Sequence, residues 1–303
     1  MVMKKMSKIL YLVIPCYNEE EVLPITKKAL KEKMESLINE KKIKKESRVM
    51  FVNDGSKDKT WELIEKYHEE DPLFVGVKLS RNKGHQNALL AGLMTAKKYA
   101  DITISMDADL QDDISVIDKM LDENNKGAEI VYGVRSSRKK DSWFKRFTAE
   151  SFYKLMKVMG VEVVFNHADC RLMSKRALDE LERFDEVNLF LRGIVPLIGF
   201  QTSVATYERN ERVAGESKYP LKKMLSFAWD GITSFSVKPL KMITTLGFIM
   251  LFISIIMIIY TIIVKILGNT VDGWAFIMLS IWFIGGVQLV SIGLIGEYVG
   301  KIY

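Results

Sequence analysis

The sequence predicts an α/β protein in which helices cover both faces of a mostly parallel β-sheet, followed by a hairpin of two membrane-spanning helices. Three observations lead to this fold class. Short apolar runs alternate with amphipathic stretches over roughly the first 135 residues. Apolar residues make up 48% of the 303-residue chain, although 27% of its residues are charged. The apolar excess is concentrated in two uncharged stretches, 242–264 and 273–295.

The predicted strands are short, rich in Val and Ile, and apolar on both faces, as strands buried between two helix layers are. They are residues 8–15, 47–53, 73–80, 101–107 and 128–134. Between them, Leu, Ile, Met and Ala recur at helical spacing in residues 19–45, 57–69 and 83–99. In sheets of this kind ligands bind beyond the carboxyl ends of the strands.

Polar residues follow four of these strands, at Pro15–Glu20, Asn53–Ser56, Ser80–Gly84 and Asp107–Gln111. The first strand is not followed by GxGxxG, and GxxxxGK[ST] does not occur, so the dinucleotide-binding and P-loop classes lack their fingerprints. The stretch SMDADLQDD, residues 105–113, places four carboxylates together in a chain of net charge +6. Like charges at this density repel unless a cation offsets them. An acidic helix start is the alternative for Asp112 and Asp113.

The two uncharged stretches each have about 23 residues, enough for a helix to cross a bilayer. A pair of buried core helices is the alternative. Lysines cluster before the first stretch and one follows the second, at positions 218, 222, 223, 238, 241 and 301. The positive-inside rule therefore predicts that residues 1–240 and the carboxyl terminus are cytoplasmic. Residues 219–241 have the pattern of short amphipathic helices that lie in the membrane interface.

Two further patterns restrict the class of protein. The apolar run near the amino terminus is too short for a signal peptide and is not followed by a small-residue cleavage site. The two cysteines, Cys16 and Cys170, form no CxxC pair, so neither a disulfide framework nor a zinc cluster is expected. A reducing cytoplasm fits both observations.

The ordered motifs PCYNEE, VNDGSKDKT, NKGHQNAL and DADLQD resemble the family 2 glycosyltransferases of GT-A fold. The later segments GVRSSRKKDSWFKR, DCRLMS and RVAGESKY, with two spans after them, resemble the polyprenyl-phosphate glycosyltransferases within that family. This group includes the bactoprenol glucosyltransferases and the dolichol-phosphate mannose synthases, and the resemblance covers essentially the whole chain. One departure is Asn53, where many relatives have Asp. The resemblance implies a GT-A nucleotide-sugar-binding domain at 1–210, juxtamembrane amphipathic helices at 211–241, and a transmembrane hairpin at 242–303.

The resemblance also implies roles for individual residues. Mg²⁺ or Mn²⁺ is expected on Asp107, Asp109 and Gln111, because such ions bridge carboxylates to a diphosphate. Asp107 and Asp109 are expected to alternate across the strand end, so that one faces the nucleotide and the other the metal. The expected donor-nucleotide site comprises Pro15, Tyr17, Glu19, Asp54, Arg81, Gly84, Asp107 and Ala108. The expected acceptor-phosphate ligands are Arg135, Arg146, Arg209, Arg212 and Lys218. The expected catalytic residues are Asp169, Asp109 and Arg135.

The role of Asp169 stays open at this stage. It matches the carboxylate proposed as catalytic base in this group. A lipid phosphate with a second pKa near 6 is already largely dianionic at neutral pH, so it hardly needs a base. Orienting the sugar or Arg171 is an equal alternative for Asp169.

These inferences predict an inverting transferase that moves one sugar from a nucleotide-sugar to undecaprenyl phosphate at the cytoplasmic face of the plasma membrane. UDP-glucose is the expected donor, with UDP-N-acetylglucosamine and GDP-mannose as alternatives. A processive polysaccharide synthase would carry QxxRW and more spans, and this chain has no QxxRW. A non-catalytic membrane scaffold is the second rival. We expect the lipid membrane as a partner, no nucleic acid, and self-association through glycines in the spans.

Overall fold

The structure is a computed structural model that describes residues 7–135, 167–184 and 191–208, with scattered positions from 256 to 299. The chain divides into two compact units, one of residues 1–153 and 163–220 and the other of residues 154–162 and 221–303. All strands and helices described below belong to the first unit. In the second unit, the described positions from 277 to 299 are helical, and Ile277 and Ile281 are exposed.

The described residues contain no helix with the length and apolar character that a membrane crossing needs. The predicted juxtamembrane helices at 211–241 and the first predicted span at 242–264 lie outside those residues, apart from position 256. Only scattered positions of the second predicted span, 273–295, are among them.

A seven-stranded sheet forms the centre of the first unit, in the order β3–β2–β1–β4–β6–β5–β7. Its strands are β1 (Leu10–Cys16), β2 (Arg48–Asn53), β3 (Phe74–Lys78), β4 (Ile102–Ser105), β5 (Ile130–Arg135), β6 (His167–Ser174) and β7 (Thr202–Tyr207). Strand β1 pairs in parallel with β2 and β4, β2 with β3, and β5 with β7. Strand β6 runs antiparallel to both β4 and β5. The sheet is therefore mixed, and the five predicted strands are present with small shifts of their ends.

Helices pack against both faces of this sheet, as predicted. Those described are α1 (Leu23–Asn39), α2 (Thr60–Glu70), α3 (His85–Ala96), α4 (Val116–Asn125), α5 (Lys175–Leu181) and α6 (Leu191–Leu197). Buried residues of α1, α2 and α4 join Leu12 and Ile14 of β1 in one apolar core. Helix α3 lies against the opposite face, because its Gly92 meets Val13, whose side chain alternates with those of Leu12 and Ile14. The start of α3 is thereby fixed beside the carboxyl ends of the parallel strands.

Gly92 lets α3 approach the sheet closely. A Cβ atom added there would lie 2.5 Å from Val13 Cγ1 and 2.6 Å from Val52 Cγ2. Gly92→Ala should therefore lower the free energy of unfolding by roughly 1–3 kcal/mol through overpacking. Helix propensity alone predicts the opposite sign, a gain of about 1 kcal/mol. Urea unfolding of the purified protein, followed by tryptophan fluorescence, measures the change.

Val13→Ala supplies the control for Gly92→Ala, since it removes one of the two methyl groups that the new Cβ would strike. The double variant should lose less stability than the sum of the two single losses. A stabilising Gly92→Ala substitution would show that α3 does not lie this close to β1 and β2.

Candidate active site

The loops after β1 and β2 are joined by hydrogen bonds to each other's polar side chains. The Asn18 N–H donates to Ser56 Oγ at 3.0 Å, and the Lys57 N–H donates to Asn18 Oδ1 at 2.9 Å. The Glu19 N–H donates to Thr60 Oγ1 at 2.9 Å. Tyr17 and Glu19 are half-buried in this double loop, and Pro15 is buried in β1. The loop thus holds three predicted donor-site residues at the carboxyl edge of the sheet.

Asp54, predicted to contact the nucleotide, is buried and holds a third loop against the edge. Its Oδ1 accepts from the Lys83 N–H at 2.7 Å and its Oδ2 from the Gly84 N–H at 3.0 Å. The neighbouring Gly55 has φ +65°, and a Cβ there would lie 2.5 Å from the Asn82 nitrogen. The visible task of Asp54 is therefore to position Gly84, and nucleotide contact by Asp54 stays a prediction. Arg81 in the same loop is exposed.

The acidic segment forms a turn beyond β4. Because β4 ends at Ser105, Asp107 and Asp109 do not alternate along a strand, and the expectation based on that alternation is wrong. The turn passes through Leu110 at φ +53°. The Ala108 carbonyl accepts from Thr26 Oγ1 at 2.6 Å, and Asp109 Oδ1 accepts from the Gln111 N–H at 3.2 Å. These contacts hold the backbone of DADLQ in place.

The last two carboxylates of the acidic segment have protein partners. The Tyr207 hydroxyl of β7 donates to Asp112, which is buried. Asp113 accepts from the Ser115 N–H at 2.9 Å and from Ser115 Oγ at 2.6 Å, immediately before α4. Asp113 thus contacts Ser115, the N-cap residue of α4, while Asp112 connects the turn to β7.

Asp107 carries negative charge that its surroundings disfavour. Loss of solvent around the carboxyl group, followed by the charges of Asp169, Asp112 and Asp109, raises its pKa to about 6, against the opposing effect of His85. The side chain still exposes 38% of its area, so a ligand can reach it. Uncompensated, accessible carboxylate charge is what a divalent cation binds.

The possible metal ligands of the acidic turn suit a cation that is also bound by a substrate. The described residues contain no group of three or more His, Cys, Asp or Glu side chains arranged to enclose a metal ion. Magnesium is commonly bound by one or two carboxylates together with substrate phosphates, not by a cage of protein ligands. Asp107, Asp109 and Gln111 lie on one turn and match that incomplete kind of site.

Asp169 lies on β6, next to the acidic turn. The Ser105 hydroxyl of β4 donates to the Asp169 carbonyl at 2.7 Å, while the backbone of Ser105 pairs with Arg171. Arg192 of α6 donates to the carboxylate twice, from Nε to Oδ1 and from a terminal nitrogen to Oδ2, both at 2.9 Å. Burial alone would raise the pKa of Asp169, but the charge and hydrogen bonds of Arg192 hold it well below its usual range. A carboxylate held this way accepts a proton poorly, which favours the orienting role.

Arg192 and His85 lie at this site although no role was predicted for either residue from the sequence. His85 Nε2 lies 3.7 Å from Asp169 Oδ2 and 3.9 Å from Asp107 Oδ1, between the two carboxylates. Its position at the start of α3, within the quoted NKGHQNAL, was the available signal. Arg171, the residue that Asp169 was predicted to orient as one alternative, is buried. Its guanidinium carbon lies 5.5 Å from the Tyr132 ring centroid.

The predicted acceptor site is largely untested by the described residues. Arg135 ends β5, where its backbone pairs with that of Tyr207. Arg146, Arg209, Arg212 and Lys218 lie outside the described residues. Cys16 and Cys170 are buried and neither forms a disulfide, and burial raises the pKa of the Cys16 thiol.

Comparison with known proteins gives two family matches. The model for glycosyl transferase family 2 matches residues 11–182, and the model for the GtrB C-terminal hairpin matches residues 238–302. The glycosyltransferase YkoT of Bacillus subtilis is 55% identical over 99% of this chain and 89% of its own. The bactoprenol glucosyl transferase of Shigella phage SfX is 42% identical over 96% of this chain and 94% of its own.

Among solved structures, a similar chain is glucosyl-3-phosphoglycerate synthase from Mycobacterium tuberculosis, determined with Mn²⁺, UDP-glucose and phosphoglyceric acid. It has a TM-score of 0.48 and 15% identity, over 76% of this chain and 79% of its own.

Replacing Asp107 tests whether its ionised carboxylate destabilises the folded protein. A carboxyl group whose pKa rises from 3.8 to about 6 on folding is neutral in both the folded and the unfolded state well below pH 3.8. Between these two pKa values its ionisation destabilises the fold increasingly, and above pH 6 the loss of stability stays constant. In metal-free protein at pH 7.5, Asp107→Asn should raise the midpoint of thermal unfolding by roughly 2–4 °C, or about 1 kcal/mol after allowance for solvent screening. At pH 5 the gain should shrink. Differential scanning fluorimetry in chelator measures both.

Asp113→Asn is the matched control for Asp107→Asn, because Asp113 belongs to the same acidic segment but bonds to Ser115. It should not raise the midpoint. Equal effects of the two substitutions at pH 7.5 would mean that the imbalance is not centred on Asp107.

Proposed function

The chain belongs to glycosyl transferase family 2, and on this basis we propose that it transfers one glucose unit from UDP-glucose to undecaprenyl phosphate with inversion at the anomeric carbon. The observation that carries the proposal is its 42% identity, over 96% of its length, to a bactoprenol glucosyl transferase. The match of residues 238–302 to the GtrB C-terminal hairpin supports action at a membrane. The product is a polyprenyl-phosphate sugar for glycosylation of the cell envelope.

The acidic turn supplies the donor side of the reaction. Asp107, Asp109 and Gln111 would hold Mg²⁺ or Mn²⁺, since the Asp107 side chain is partly exposed. When bound, such an ion neutralises the developing charge on the departing diphosphate. The loops that Asp54 and Ser56 hold together would bind the nucleotide through Tyr17, Glu19, Arg81 and Gly84, with Pro15 and Ala108 shaping the pocket.

The acceptor phosphate attacks without first losing a proton, because it is already largely dianionic near neutral pH. Catalysis on this side therefore depends on holding the phosphate in line with the anomeric carbon. Arginine forks are suited to phosphate oxygens. Arg135 and Arg146, with Arg209, Arg212 and Lys218, would serve this purpose. The pairing of Asp169 with Arg192 agrees with this scheme. The reaction needs no base, and a carboxylate paired with an arginine is a poor one.

The proposal places two spans, 242–264 and 273–295, in the cell membrane, with the catalytic unit on the cytoplasmic side. The amphipathic segment 211–241 would lie in the membrane interface and bring the proposed active site to the lipid phosphate. Self-association through the spans is part of the same proposal. Chemical crosslinking in native membranes should yield a dimer or larger assembly, and crosslinking to monomer alone would refute it.

The decisive experiment is a transfer assay on the full chain in detergent, with radiolabelled UDP-glucose, Mn²⁺ and undecaprenyl phosphate. Label that extracts with lipid supports the proposal. Lipid label from UDP-N-acetylglucosamine or GDP-mannose alone would correct the donor. A long insoluble polymer would indicate a processive synthase, and no label from any donor would indicate a non-catalytic scaffold.

Asp109→Ala should lower the rate of glucose transfer at least roughly 100-fold, since a metal ligand that stabilises the leaving diphosphate is lost. The measurement is initial rate against Mn²⁺ concentration. Asp113→Ala is the matched control and should retain most activity, because Asp113 contacts Ser115 at the start of α4. Full activity of Asp109→Ala, or of the wild-type protein in chelator, would eliminate the metal site.

Arg135→Ala should raise KM for the lipid acceptor by roughly 10-fold or more, while slow hydrolysis of UDP-glucose by water stays nearly unchanged. Both rates are measured on the same preparation. Arg183→Ala is the control, because Arg183 pairs with Glu180 on α5. Equal losses of hydrolysis and lipid transfer in Arg135→Ala would exclude a specific acceptor role.

A further inference from the structure

The start of α3 is hydrogen-bonded to the start of α6, although the two are far apart in sequence. Gln86, the second residue of α3, accepts from the Leu191 N–H through Oε1 at 3.2 Å. Leu191 opens α6, and Arg192 is its next residue. Gln86 therefore fixes the point from which the Arg192 side chain extends.

Arg192 in turn holds Asp169 in a single orientation. Its two hydrogen bonds to Oδ1 and Oδ2, both 2.9 Å long, form the paired geometry that guanidinium and carboxylate groups adopt most favourably. The Asp169 side chain is 14% exposed and that of Arg192 26%. Much of the contact is thus shielded from water, and each group restricts the rotation of the other.

His85 lies between the Arg192–Asp169 pair and the acidic turn. Its Nε2 is buried and makes no hydrogen bond with any described residue, yet it lies within 4 Å of carboxylate oxygens of both Asp169 and Asp107. His85 and Gln86 are consecutive, so one turn of α3 borders the proposed metal ligand, Asp169 and the start of α6. This arrangement places Asp169 and the proposed metal ligand Asp107 on either side of the same imidazole.

We propose that Arg192 is a positioning residue for sugar transfer: anchored through Gln86, it clamps both oxygens of Asp169 and makes that carboxylate an orienting group, not a proton acceptor. The inference rests on the proposed function for the identity of the reaction. Its chemistry is consistent with that reaction, because a dianionic phosphate nucleophile has no proton to lose. The residue acts through Asp169 and need not touch either substrate.

The test uses the full-length protein and variants at two positions. Arg192→Gln should lower kcat roughly 100-fold, as expected when a reacting group is displaced by about 1 Å. Arg192→Lys keeps the positive charge but loses the forked guanidinium group, so its kcat should lie between those of Arg192→Gln and the wild type. UDP affinity, measured by calorimetry with Mn²⁺, should change less than about twofold, because the substitution leaves the nucleotide loops intact.

Gln86 offers a conservative pair of substitutions. Gln86→Glu retains an oxygen that can accept from the Leu191 N–H and should keep most of the wild-type kcat. Gln86→Leu removes the acceptor and should lower kcat roughly 10-fold. Hydrogen–deuterium exchange should be faster over residues 191–197 in Gln86→Leu and unchanged in Gln86→Glu.

A double-mutant cycle separates positioning from a direct role. If Arg192 acts through Asp169, then Arg192→Gln should cost little further kcat in an Asp169→Asn background. Additive losses in that cycle, an unchanged kcat in Arg192→Gln, or equal exchange rates over 191–197 in both Gln86 variants would each overturn the inference. If the wild type transfers no sugar to lipid but Gln86→Leu alone accelerates exchange over 191–197, the proposed function fails and the anchoring of α6 stands.

Discussion

The organisation of the site depends on the repulsion among carboxylates at the carboxyl end of β4. Asp112 is relieved of part of this repulsion by the Tyr207 hydroxyl, and Asp169 by Arg192. Asp107 has His85 nearby, but the net effect of its surroundings still raises its pKa to about 6. At this edge of the sheet the disfavoured negative charge therefore lies on Asp107, whose partly exposed side chain a cation bound to a diphosphate would reach.

The alternation of apolar runs and amphipathic stretches was sufficient to predict β1 to β5 and α1 to α3, because each depends on local periodicity. The direction of β6 was not predictable in this way. Its antiparallel pairing with β4 brings Asp169 beside Ser105, and that contact depends on residues 64 positions apart. The mixed sheet is thus a product of long-range pairing that no local pattern encodes.

The same distinction separates the candidate-site residues that the motifs predicted from those that they did not. The acidic turn and the double loop after β1 and β2 could be located because motif residues follow predicted strands directly. Arg192 lies in a short helix with Pro196 in its interior, a weak helical signal. Its importance emerges only from a partner 23 positions earlier on another element and from Gln86, which meets Leu191 across 105 positions. Asp54 illustrates a further difficulty, since its motif predicted a ligand contact and the structure shows it bonded to the backbone of the 80–84 loop.

Asp107 and Asp169 both lie close to His85, but the pKa of Asp107 is raised and that of Asp169 is lowered. This difference indicates that the two carboxylates have different roles. Asp107 gains most from a cation, because its ionised form is disfavoured without one. Asp169 is already neutralised by Arg192, so it has least to gain from either a proton or a metal ion. Separation of pKa values between neighbouring acids generally marks different roles. Here it separates Asp107, which would hold the cation that binds the leaving diphosphate, from Asp169, which would keep the geometry fixed in a reaction whose phosphate nucleophile is already ionised.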